Sequence, residues 1–122
     1  MTRMTQLAAT FTPTFSQAWL LLAVAIAFEI AGTVCMRLSE GFTRLAPSVL
    51  IFAFYAVSFA LNTFVIKVLG LSVVYAVWSG VGTAITAGIG ILYFKEPATA
   101  VKLASIGLVV IGVLGVHASS RP

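Results

Sequence analysis

Residues 17–36 read QAWLLLAVAIAFEIAGTVCM, and their one charge, Glu29, stands near the middle of a run that is otherwise uncharged. At 1.5 Å rise per residue, a helix over this run crosses a hydrocarbon core roughly 30 Å thick. A charged side chain at the centre of a bilayer costs about 2.5 to 3.5 kcal/mol on insertion scales, so one that persists there has a function. Three further apolar blocks follow at 46–66, 69–94 and 98–118, the last carrying only Lys102 near its start. With 61% hydrophobic residues, 8% charged and a mean hydropathy of +1.13, the 122-residue chain has too little polar surface to coat a soluble globule. The blocks are also too long and too irregular for the roughly 10-residue alternating strands of a membrane barrel. An all-α membrane protein of four spans is expected, with helices near 17–36, 47–67, 71–94 and 98–118. Residues 1–16 are Thr-rich, contain Pro13 and read as a flexible tail, and 119–122 as a short C-terminal one. A secretory signal is not expected, since the first apolar run is too long for its core.

Several function classes lack residues to stand on. Cys35 is the single cysteine and has no metal-ligand spacing to any His or Cys, so it reads as a buried packing residue. His117 is alone near the last membrane exit and reads as interfacial. With no nucleophile motif, phosphate loop or second carboxylate in a shared span, neither an enzyme nor a metal or cofactor site is expected. Nor is a nucleic-acid partner; the partners are lipid, ions and another chain.

The connections are short, which makes sequential helices antiparallel neighbours. Pro47 suits the first turn of helix two, Gly70 the second turn of the chain, and Pro97 the start of helix four. Alternating helices put Arg3, Lys67 and Arg121 on one membrane side and Arg37, Arg44, Lys95 and Lys102 on the other. Three against four is almost no bias under the positive-inside rule, so insertion in both orientations is expected, with an antiparallel homodimer as the product. Discounting the terminal Arg3 and Arg121 would instead put loops one and three in the cytoplasm. Four helices of this length are also expected to enclose too little space for a ligand by themselves. Ser105, Gly107, Gly112 and Gly115 on helix four offer either a dimer seam or close packing within the protomer.

Residues 18, 22, 25, 26, 29, 32, 33 and 36 form one stripe of helix one, mostly small or polar, which reads as lining a cavity around Glu29. On helix three, Tyr75 and Trp78 on neighbouring turns, with Tyr55 and Phe59 four apart on helix two, could build an aromatic box for a cation. Tyr75 and Trp78 read as too deep in helix three for an interfacial belt. Gly80 and Gly82 just beyond them permit bending or close crossing, as a hinge would need.

Three stretches now resemble a known family. AFEIAGT at 27–33, SEGFTR at 39–44 followed by Pro47 and Ser48, and YAVWSGVG at 75–82 are similar to the small multidrug resistance transporters, in the branch that exports quaternary ammonium compounds. The guanidinium-exporting branch ranks well below it. The likeness runs from Trp19 to about residue 118. It implies that 17–118 is one four-helix transport domain in the bacterial inner membrane, working as an antiparallel homodimer. It further implies that Glu29 is shared by protons and cationic substrate, and that Tyr75 and Trp78 contact substrate and gate access. Leu22, Ala25, Ile26, Gly32 and Thr33, with Tyr55, Ser58 and Phe59, match cavity-lining positions. Departures from the pattern are Arg37 for a lysine, Asn62 at a site commonly apolar, where its amide would add a polar cavity contact, Gly70 for a proline and Ser105 for a glycine.

The mechanism so implied is proton-coupled export of lipophilic or quaternary ammonium cations. Two Glu29 carboxylates in one cavity repel each other and are poorly solvated, so each favours a proton or a cation as company. Few directional hydrogen bonds allow a broad range of cations. The alternatives are an exporter of one metabolite cation, choline-like, betaine-like or guanidinium; a small channel; or a structural subunit in which Glu29 pairs with Lys67. A heterodimer with a related chain is a further alternative.

Overall fold

A computed structural model describes residues 11–120. They form four helices: α1 (Phe15–Leu38), α2 (Leu45–Leu69), α3 (Leu71–Leu92) and α4 (Ala100–Ser119). All four are long and apolar enough to cross a membrane, and among the described residues there is no strand. Most of the expected tail lies outside the described residues, as do Arg3 and Arg121.

Local chemistry sets the ends where the hydropathy blocks do not. The threonine and glutamine before the first apolar block form a capping box: the Gln17 backbone N–H donates to Thr14 Oγ1 at 3.2 Å, and Thr14 N–H to Gln17 Oε1 at 3.0 Å. Phe15 and Ser16 are therefore helical rather than tail. After α1, the chain turns through three residues with positive φ, Glu40, Gly41 and Phe42, and enters α2 with Pro47 in its first turn. Gly70 alone joins α2 to α3, at φ 82° and ψ 158°, a conformation open essentially to glycine. Helix four starts three residues after the proline expected to open it. Thr99 is the cap, its Oγ1 accepting the Lys102 N–H at 3.1 Å, while the Pro97 carbonyl accepts from Lys102 Nζ at 3.1 Å.

The most extensive helix contact is α1 on α2, and α3 packs on both. Ala18, Leu22, Ile26 and Ile30 of α1 meet Val65 and Leu69 of α2 and Val74 and Val77 of α3 in one core. In lipid such packing rests on van der Waals contact and interhelical hydrogen bonds rather than on the hydrophobic effect. One such bond is buried here, from Ser58 Oγ to the Ala25 carbonyl at 2.8 Å. Helix α4 makes its backbone contacts with α3 alone and has no buried residue. Its Val113 and Val109 fill the space over Gly80, where a side chain would collide with Val113. Ser105 is exposed, and among the described residues nothing lies within 4 Å of where a Cβ on Gly107, Gly112 or Gly115 would sit, so these glycines mark no close packing of α4 on the other described helices.

His117, in the last turn of α4, is exposed and meets the Trp19 ring edge-on at 4.6 Å. Cys35 is a buried free thiol.

Candidate functional site

Glu29 is half-buried, about two and a half turns before the end of α1, and is tied to its neighbours by one threonine. Thr33 Oγ1 lies 3.2 Å from Glu29 Oε1, 3.0 Å from the Glu29 carbonyl and 2.7 Å from the Tyr55 hydroxyl. Thr33 has one proton to give, so a Tyr55 hydroxyl that donates to it leaves that proton for Glu29. Tyr55 reaches this position because Gly32 carries no side chain: a Cβ there would sit 3.0 Å from the tyrosine ring. On the other side, a Cβ on Gly82 would be 3.3 Å from Glu29 Oε2, so the missing side chain lets the carboxylate lie against α3.

Glu29 and Thr33 face a cavity of 650 Å³ between α1 and α3, walled by Tyr75, Trp78, Ser79, Gly82, Thr83 and Thr86. One chain thus offers a groove of ligand size between α1 and α3, but does not enclose it. The groove is open on one side. At its loop end Arg37 stacks over the Phe94 ring at 5.2 Å, and Glu96 pairs with Lys102 at 3.8 Å. These four also line the cavity, and sequence reasoning did not put them there. They come from three separate segments, and only the turn at 93–99 brings the last two over the end of α1.

The aromatic residues form a chain rather than a closed box. Ring centroids run Tyr55 to Phe59 at 5.7 Å, Phe59 to Trp78 at 5.9 Å, and Trp78 to Tyr75 at 6.1 Å. Phe59 and Tyr75 are 52% and 64% exposed, so the row of rings lies at the open surface of the bundle. Tyr75 lies only one turn inside α3, about 6 Å from its start, which corrects its reading as deeply placed.

Other expected lining residues are elsewhere. Leu22, Ala25 and Ile26 are 1%, 0% and 5% exposed and belong to the packed core, as does Ser58 through its bond to Ala25. Leu22 and Ile26 also border a second, apolar groove of 460 Å³ with Trp19 and Val77, away from Glu29. Gly32 is buried under Tyr55. The expected polar cavity contact of Asn62 is not present: its amide is buried, with neither side-chain atom hydrogen-bonded to any described residue, and it borders neither groove. For Ala25, Gly32 and Ser58 the physical reason is that small residues on a helix face permit close helix contact as readily as they leave a cavity, while Leu22 and Ile26 fill the core with their own bulk. Gly80 and Gly82 lie within an unbroken α3, the first under Val113 and the second against Glu29.

Lys67 is far from pairing with Glu29; its Nζ donates to the Phe11 carbonyl at 2.6 Å. That removes the reading of Glu29 as one half of a structural ion pair with Lys67.

Comparison with known proteins agrees with this architecture. The family model described as Small Multidrug Resistance protein matches residues 17–109. An uncharacterized membrane protein of Bacillus subtilis (strain 168), YvaE, is 46% identical over 99 residues, 81% of this chain and 83% of its own length. The quaternary ammonium compound-resistance protein QacG of Staphylococcus sp. (strain ST94) is 40% identical over 96 residues, 79% of this chain and 90% of its own. A guanidinium exporter of Citrobacter freundii is 35% identical over 103 residues, 84% of this chain and 98% of its own.

Proposed function

The chain belongs to the small multidrug resistance family, a family of multi-pass membrane exporters, and from that premise we propose that it is a proton-coupled antiporter of hydrophobic and quaternary ammonium cations. The observation that carries the reading is Glu29 facing a 650 Å³ groove beside Tyr75 and Trp78. A lipophilic cation gains from aromatic faces, about 0.5 to 2 kcal/mol for each contact, and from a carboxylate it need not share with water. Protons compete for the same carboxylate. If the groove exchanges sides only when loaded with protons or with cation, an inward proton gradient drives cations out.

In this reading two inverted copies complete the site. The groove is open on one side, the Phe59 and Tyr75 rings are exposed, and the outer face of α4 with Ser105, Gly107, Gly112 and Gly115 is unpartnered within the protomer. Gly82 serves as the point where α3 rides over the carboxylate, and Trp78 and Tyr75 as the moving contacts of the gate.

A second reading, guanidinium export, has the relatives of that name in its favour. Proteoliposomes under an imposed pH gradient test both. Gradient-driven accumulation of tetraphenylphosphonium or a quaternary ammonium, abolished by Glu29→Gln, is the expected result. Accumulation of guanidinium alone would establish the second reading, and uptake that ignores the gradient would make the protein a channel.

A further inference from the structure

The wall opposite Glu29 has a polar half that the carboxylate and the aromatic rings do not explain. Ser79, Thr83 and Thr86 lie at i, i+4 and i+7 on α3, all on the face that lines the groove. Hydroxyls in membrane helices usually satisfy themselves on the carbonyl one turn earlier, as Thr33, Ser48 and Thr63 do here. Ser79, Thr83 and Thr86 do not, a trait shared with the exposed Ser105 of α4; none of the three is hydrogen-bonded to a described residue, Ser79 and Thr83 are exposed and Thr86 half-buried, and all three line the groove that Glu29 faces. A groove selected only for bulky hydrocarbon cations would gain more from valine at these positions, because an unpaired hydroxyl in contact with alkyl groups loses its hydrogen bonds to water.

Position along α3 fixes what these hydroxyls can meet. Gly82 marks the level of the Glu29 carboxylate. Tyr75 and Trp78 lie one to two turns to one side of it, and Thr86 lies one turn, about 6 Å, to the other. A cation held at Glu29 thus has an aromatic neighbour at one end and a hydroxylated one at the other. We infer that Thr83 and Thr86 form a specificity subsite for a hydrogen-bonding group, a hydroxyl or amide carried a few bonds from the cationic nitrogen. The subsite favours such cations over all-hydrocarbon ones of the same size. Because serine and threonine hydroxyls both donate and accept, a substrate hydroxyl is satisfied in either sense. The inference rests on the reading that Glu29 takes the cation.

A matched pair of probes tests it on the full-length protein in detergent: (3-hydroxypropyl)triethylammonium and butyltriethylammonium, which differ by a hydroxyl in place of a methyl. Binding is followed by tryptophan fluorescence, since Trp78 lines the groove. The ratio of the two affinities should move against the hydroxylated probe by roughly 5- to 150-fold in the Thr83→Val/Thr86→Val variant, the loss of two ordinary hydrogen bonds. Affinity for the butyl probe should hold or rise, and Thr83→Ser/Thr86→Ser should retain the wild-type ratio. An unchanged ratio in the valine variant, or an equal loss for both probes, overturns the subsite. Binding of both probes that is indifferent to Glu29→Gln, with the ratio still sensitive to the threonines, would instead overturn the role given to Glu29 and leave the subsite in place.

Discussion

Replacing Gly32 by alanine should unseat Tyr55 and with it the hydroxyl that supports Glu29. The new Cβ would lie 3.0 Å from two carbons of the Tyr55 ring and 3.5 Å from Phe54 Cβ, so the ring must retreat by several tenths of an ångström. The 2.7 Å contact between the Tyr55 hydroxyl and Thr33 Oγ1 sits at the end of that ring and is lost with the retreat. Overpacking of this kind costs about 1 to 3 kcal/mol, and the hydrogen bond adds about 0.5 to 1.5 kcal/mol. Alanine returns up to about 1 kcal/mol by its better helix propensity. The net destabilisation expected is therefore about 0.5 to 4.5 kcal/mol. Unfolding by sodium dodecyl sulfate in dodecylmaltoside micelles, followed by tryptophan fluorescence, measures it. The same substitution in a Tyr55→Ala background meets no ring and breaks no bond, so there it should be neutral or stabilising. The difference between the two backgrounds is the coupling energy, about 1.5 to 4.5 kcal/mol. A coupling near zero would refute the argument, because it would mean that Gly32 does not make room for Tyr55.

Gly80→Ala should likewise separate α3 from α4 through its collision with Val113, at about 1 to 3 kcal/mol, and Val113→Ala should relieve most of that in the same unfolding assay. Gly70→Ala places a Cβ on a backbone conformation open essentially to glycine and should cost about 1 to 3 kcal/mol with no steric partner involved, read as a lower midpoint in the same titration.

Much of the architecture could be read from the residues, and for identifiable reasons. Four apolar blocks of membrane length allow one solution, four spanning helices, because every backbone group must be satisfied within its own segment. Glu29 announced itself as a charge where charge is expensive, and the spacing of Tyr55 from Phe59 and of Tyr75 from Trp78 put each pair on one face. What periodicity does not encode is which neighbour a face meets. Leu22, Ala25 and Ile26 share a stripe with Glu29, yet a turn of helix separates the part packed on α2 from the part open to the groove. Thr83 and Thr86 were silent for another reason: threonine in a membrane helix ordinarily bonds to its own backbone and means nothing. Their one available signal was a shared face with Ser79 and Gly82. Arg37 and Lys102 were seen as charges near helix ends, and only the turn geometry around Lys95, at φ 59°, brings them with Glu96 to one groove.

The single residue between α2 and α3 also bears on how the protein is made. Consecutive Cα atoms are 3.8 Å apart, so helices joined through Gly70 alone must end and begin at the same depth. A fully formed α3 therefore cannot rest away from the end of a spanning α2, and once both are helical the pair behaves as one hairpin.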